Sequence, residues 1–155
     1  MGHGRVIGVE RALRPHNRAA IDAHPLRSRI EIVEGSSVAP ETIAAVRALV
    51  APGETAMVVL DSAHGRDHVL AELRAYAPLV PVGSWLIACD GIMAAMAGAP
   101  RSGPDWATDN PMAAAERFVA EDPRFAIEEP QWLFNEGAAK TRVTYWPSGY
   151  IRRIA

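Results

Sequence analysis

Three observations predict an α/β fold on a mostly parallel sheet. Short β-branched runs alternate with helical stretches, Pro and Gly punctuate those stretches, and one run, "AMVVLD", is nearly all apolar. Strands that alternate with helices imply βαβ units joined by right-handed crossovers. An unbroken apolar run is what a strand covered on both faces requires. With 155 residues, 49% of them hydrophobic, the chain has enough apolar mass for one sizeable core, so residues 1–155 are expected to form a single domain.

The elements follow in order. "RVIGVE" is a first strand, and "PHNRAAIDAH" a helix opened by Pro15 and closed by Pro25. "RIEIVEG" is a second strand. "SSVAPETIAAVRALVAPG" is a helix with Pro40 near its first turn and Pro52-Gly53 as its stop. After "AMVVLD" comes a helix that carries Val69, Leu70, Leu73 and Tyr76 on one face at helical spacing. "GSWLIACD" is a fourth strand. "GIMAAMAGAPRSGPDWATDNP" shows no strand period and reads as a long loop of the kind that serves as a lid or binding loop. Pro111 opens a further helix, "PMAAAERFVAEDP", and "TRVTYWPSGYIRRI" reads as two strands around Pro147-Ser148-Gly149, a hairpin.

Composition narrows the function. Sixteen basic and eighteen acidic residues give a formal net charge of −2, without the basic excess of a nucleic-acid-binding surface. The single cysteine, Cys89, cannot form an intramolecular disulfide and fits a reducing cytoplasm. No apolar run approaches the roughly 20 residues that cross a bilayer, and the start "MGHGRVIGVE" has no signal-peptide pattern. A cytoplasmic protein is expected.

In an open α/β sheet, ligands sit beyond the carboxyl ends of the strands. Those ends carry Glu10, then Gly35 with Ser36 and Ser37, then Asp61, then Asp90. One acid after a strand is accounted for by capping of the next helix, a task open to Asp61 or Ser62. Three acids at four ends point to a site. Asp61 and Asp90 are the informative pair, because neighbouring strands lie about 4.8 Å apart and their carboxylates can converge. Converging carboxylates repel unless a positive charge lies between them, and Mg²⁺ suits that place. Zinc is the competitor, since His64 and His68 stand four residues apart and could share a helix face. It ranks lower: there is no HExxH arrangement, and Cys89 should point away from Asp90 on an extended strand. For His68 the preferred reading is a solvated helix histidine. Glu10 stands where an acid commonly binds the ribose hydroxyls of a nucleotide cofactor, and "EGSS" offers a backbone on which adenine could lie, or an ordinary turn. Trp85, Trp106, Trp132 and Trp146 could line a pocket, although Trp85 within a strand is expected to be core.

These residues carry a resemblance. "RVIGVERALRPHNRAAIDAHPLRSRIEIVEGSS", "VVLDSAHGRDHVLAELRAYAPLVPVGSWLIACD", "APRSGPDWATDNPMAAAERFV" and "VTYWPSGYIRR" together resemble the cephalosporin hydroxylase / rhamnosyl O-methyltransferase family over almost the whole chain. The resemblance implies a Rossmann-like methyltransferase sheet with a C-terminal antiparallel hairpin. It also implies S-adenosylmethionine as cofactor, Mg²⁺ holding the hydroxyl of a sugar or small polyol, and an O-methyltransferase as the activity. Carried over, Glu10 would bind the cofactor ribose, and Gly35 and Ser36 would lie near the adenine. Asp61 and Asp90 would be metal ligands and His64 the general base.

The sequence departs from the family in two places. Cys89-Asp90 stands where the family has two adjacent acids, and a thiol is a poor Mg²⁺ ligand. No G-x-G-x-x-G is present: the family's glycine-rich loop and the strand before it should lie upstream of "RVIGVE". A family member lacking its first strand would present open strand edges, so self-association or a partner that completes the sheet is expected. By itself such a chain should bind S-adenosylmethionine weakly or not at all. The alternative functions are a catalytically silent fragment or partner-binding subunit and, more remotely, a metal-dependent hydrolase built on the Asp/His cluster.

Overall fold

The computed structural model describes residues 3–130 and 144–155. They form six strands and four α-helices, which divide into two compact units, Met1–Glu54 and Thr55–Ala155.

In the first unit, β1 (Val6–Glu10) and β2 (Ile30–Glu34) pair in parallel, with Val6 opposite Ile30 and Glu10 opposite Glu34. The crossover between them contains α1 (Pro15–Asp22), and α2 (Pro40–Leu49) follows β2. Both helices start on a proline, where the absent N–H costs no hydrogen bond. Gly35 continues the ladder by donating its N–H to the Glu10 carbonyl at 2.9 Å. Only glycine fits there. Its φ is +152°, and a Cβ would fall 2.3 Å from Thr42 Oγ1. Arg5 closes the unit through Nε and Nη2 bonds of 3.1 and 2.6 Å to the Glu54 carboxylate. Among the described residues of this unit only Thr42 and Val46 are buried.

The second unit holds the larger core. Its sheet runs in the order β3 (Val58–Leu60), β4 (Trp85–Ala88), β6 (Tyr150–Arg153), β5 (Phe125–Ile127). β3 and β4 are parallel, whereas β6 is antiparallel to both β4 and β5. This sheet is therefore mixed, not mostly parallel. One cause is β5, whose three residues "FAI" after Asp122-Pro123-Arg124 carry too short a pattern to stand out from the sequence. The expected hairpin contributes β6; residues 141–143 of its first arm lie outside the described residues, and Thr144–Trp146 form no strand.

α3 (Arg66–Tyr76) and α4 (Pro111–Glu121) pack on one another. As the helical spacing predicts, α3 buries Val69, Leu70, Leu73 and Tyr76. Phe118 of α4 meets Phe125 of β5 with ring centroids 5.1 Å apart, a tilted contact that suits the ring quadrupoles. Asn110, fully buried, caps α4: its Oδ1 accepts the Ala113 N–H at 2.9 Å and its Nδ2 donates to the Trp106 carbonyl at 2.8 Å. Two expectations fail in this unit. β3 is not covered on both faces, for Met57 and Val59 are 60% and 50% exposed. It lies at the end of its sheet, which removes one neighbour. Trp85 is half-buried instead of core, and the Arg152 guanidinium lies 5.7 Å from its ring centre. No helix among the described residues is long and apolar enough to cross a membrane.

Candidate functional site

Strand pairing sets the geometry of the second unit's site. Leu60 is opposite Ala88 in the parallel β3–β4 ladder, and the Cys89 N–H extends that ladder to the Leu60 carbonyl at 3.0 Å. Asp61 and Asp90 therefore leave adjacent strands at neighbouring positions. At Asp90 the backbone turns left-handed, with φ 60° and ψ 25°, and the chain enters a 3₁₀ turn from Gly91 to Met96. Close packing enforces that turn. A Cβ on Gly149 would lie 2.2 Å from the Ala88 carbonyl, and one on Gly91 would lie 2.5 Å from the Pro147 carbonyl. The backbone of the Pro147–Gly149 turn thus presses directly against the chain on both sides of Asp90.

His64 completes the cluster. Its Nε2 lies 3.3 Å from Asp61 Oδ1 and 3.5 Å from Asp90 Oδ2. One ligand atom from each of the three residues falls within 4.8 Å of the others. A proton on Nε2 lets the ring serve both carboxylates. Without it, two negative groups face a nitrogen lone pair, a repulsion that a cation between the carboxylates would relieve. The two carboxylates, with the imidazole beside them, offer oxygen donors that suit a hard divalent ion able to keep several waters, as Mg²⁺ does. The set fits the metal.

The capping explanation for Asp61 does not hold. α3 has Gly65 at its N-cap with no side-chain cap, and its Arg66 N–H donates to Asp109 Oδ1 at 2.5 Å. Ser62 does not cap it either, since its hydroxyl donates to Glu72 Oε1 at 2.6 Å. Asp61 stays 66% exposed at the side chain, with His64 as its hydrogen-bond partner. His64 and His68 do not share a helix face, because His64 precedes the first turn of α3. Nor is His68 simply solvated: its Nε2 lies 3.5 Å from Glu72 Oε1, one turn along. Only one imidazole reaches the cluster, which removes the pair on which a zinc reading relied.

Cys89, just past the end of β4, is 2% exposed, although strict alternation from the buried Leu86 and Ala88 would place it on the half-buried face of Trp85 and Ile87. Burial, with the Asp61 and Asp90 charges adding to it, pushes its thiol up to about 11. Such a thiol would have to give up its proton to serve as a metal ligand, and it remains a poor donor for Mg²⁺.

The remaining candidates belong to the first unit. Glu10 is exposed at the end of β1, and its Oε1 accepts the Ala12 N–H at 3.1 Å. Gly35 follows β2, and Ser36 accepts the Ala39 N–H on its carbonyl at 3.0 Å. The contact of Gly35 with Thr42 already accounts for the glycine. Any hold on an adenine would therefore come from main chain at 35 or from Ser36. Of the tryptophans, Trp106 packs over Gly103 and Trp146 lies 5.8 Å from Tyr150 between ring centres. Trp132 lies outside the described residues. Glu72, fully buried beside the site, is the residue that the sequence did not single out.

The family model for rhamnosyl O-methyltransferase/CmcI matches residues 1–154. A search of the curated proteins and a search of the solved structures each gave no match. With the match spanning nearly its full length, the chain belongs to the rhamnosyl O-methyltransferase/CmcI family, a family of methyltransferases.

Proposed function

We propose that the chain is an S-adenosylmethionine-dependent O-methyltransferase domain that uses Mg²⁺ to methylate a hydroxyl of a sugar or small polyol. The observation that carries this reading is the convergence of Asp61, His64 and Asp90 at the carboxyl ends of two adjacent parallel strands. A sugar hydroxyl is a poor nucleophile near pH 7, so its methylation calls for a proton acceptor and for help in stabilising the alkoxide.

Asp61 and Asp90 would hold the cation. When bound there, it would lower the pKa of a coordinated hydroxyl. His64 would take the hydroxyl proton on Nε2, the ring nitrogen that faces both carboxylates, as the general base. In the first unit, Glu10 would bind the ribose hydroxyls of the cofactor, and Gly35 and Ser36 would contact its adenine. S-adenosylmethionine would supply the electrophilic methyl group. The protein's further contribution is alignment of the oxygen with the methyl carbon, which in well-oriented reactions accounts for about 7–11 kcal/mol of barrier.

The test is calorimetric titration of the chain with Mg²⁺ and with S-adenosylmethionine. Asp61→Asn is expected to remove the Mg²⁺ heat and leave any cofactor heat in place. Glu10→Ala is expected to leave the Mg²⁺ heat in place and to remove whatever weak cofactor heat the chain gives. A Mg²⁺ isotherm unchanged by Asp61→Asn would contradict the assignment.

A further inference from the structure

Glu72 is a costly residue for its position. It lies on α3 among Val69, Leu70, Leu73 and Tyr76, and it is 1% exposed. Its Oε1 accepts the Ser62 hydroxyl at 2.6 Å and lies 3.5 Å from His68 Nε2. Its Oε2 is buried and has no hydrogen-bond partner among the described residues. A buried carboxyl group with an unmet oxygen destabilises a fold relative to an apolar side chain of similar size. A leucine or methionine there would continue the apolar face of the helix. Such a departure from local consistency calls for a reason.

The reason lies in what Ser62 adjoins. It follows Asp61 directly and precedes His64 by two residues, so its hydroxyl sits in the turn that carries both. The far end of that turn is held as well, by the Arg66 N–H on Asp109 Oδ1. Without the Ser62 bond, the turn would be tied only at its two ends, by the ladder at Leu60 and by the Arg66 N–H, and the side chains of Asp61 and His64 between them would be free to swing away from Asp90. We infer that Glu72 is a positioning residue: through Ser62 it holds the turn of residues 61–65 so that Asp61 and His64 meet Asp90. This rests on the metal-site reading above for its purpose, but the positioning can be observed without metal.

The experiment uses the full chain as wild type, Ser62→Ala, Ser62→Thr and Glu72→Met. The imidazole ¹⁵N shifts of His64 and the order parameters of the amides of residues 62–65 are measured first, without metal. The Mn²⁺ affinity is measured next by electron paramagnetic resonance, and a thermal melt accompanies each variant. Ser62→Ala and Glu72→Met are expected to move the His64 shifts and to lower the order parameters below about 0.6. Mn²⁺ affinity should fall by about 10–100-fold, the usual consequence of losing an outer partner of a metal ligand. Ser62→Thr keeps the hydroxyl and should behave as wild type. Glu72→Met should melt no lower than wild type, which separates positioning from a structural role. Unchanged His64 shifts and order parameters in both Ser62→Ala and Glu72→Met would overturn the inference. If wild type bound no Mn²⁺, the metal reading would fail, and the metal-free spectra would still decide whether Glu72 positions the turn.

Discussion

At Asp90 the backbone holds a non-glycine residue in the left-handed region, with φ 60°. That conformation costs most L-residues about 1–2 kcal/mol, and less for Asp, which can bond locally. Asp90→Gly would relieve the strain but add a glycine's freedom to the unfolded chain, worth about 0.5–1 kcal/mol. The two nearly cancel, so a thermal melt of Asp90→Gly should stay close to wild type while divalent-ion binding is lost. A large drop in melting temperature would show that the Asp90 side chain is structural. Cys89 gives a pH prediction. Burial raises its folded-state pKa from 9.0 to about 11, so folding favours the protonated thiol. This contribution is fully present below pH 9 and is lost as the pH rises towards 11. Cys89→Ala should therefore melt with less sensitivity over that interval, and the native thiol should react with a disulfide reagent at pH 8 far more slowly than the unfolded one. At this scale the sequence was legible where chemistry coincides with strand ends, as at Asp61 and Asp90. It was not legible at Glu72, because a Glu on a helix normally reads as part of the solvated face.

Among the elements, α3 is the one whose sequence most directly dictates its structure. Its four apolar positions at helical spacing are all buried, and Leu73 is 0% exposed. Leu73→Ala should cost about 2–5 kcal/mol, the range for a buried leucine whose site cannot collapse fully. Denaturant unfolding checks this, and a loss below 1 kcal/mol would mean that the α3–α4 contact repacks. The helix start was harder to read than its core. Its first-turn N–H is served by Asp109, which is 43 residues away in sequence and so carries no local signal at Gly65. The same limit explains β5, a three-residue strand recruited by pairing with β6 and not by its own pattern. β1, β2, α1, α2 and α4 were legible because proline or glycine marks their ends and their periods run for several residues.

The whole molecule divides into units of unequal core. Thr42 and Val46 are the buried residues described in the first unit, whereas the second buries many more among its described residues, Leu60, Leu73, Leu86, Phe118 and Ile151 included. Local stability follows apolar burial. Amide exchange should therefore be faster across β1 and β2 than across β4 and β6, and equal protection would contradict this. Strand edges bear on assembly. β1 pairs only with β2 and β3 only with β4 among the described residues, and Val6, Met57 and Val59 are exposed along them. Unpaired edges with apolar side chains recruit further strands. Light scattering at several concentrations should show a mass that rises with concentration, and a constant monomer mass would refute self-association. The alternation of strands and helices revealed the α/β class, but not that these strands belong to two sheets, because pairing between sequence-distant strands leaves no periodic trace. The central claim is that Asp61 and Asp90 hold one divalent ion beside His64. Crystals grown with Mn²⁺ and measured near its absorption edge test it most directly. The account predicts one anomalous peak within coordination distance of both carboxylates, and a map with no peak there, or with the peak on one carboxylate alone, would contradict it.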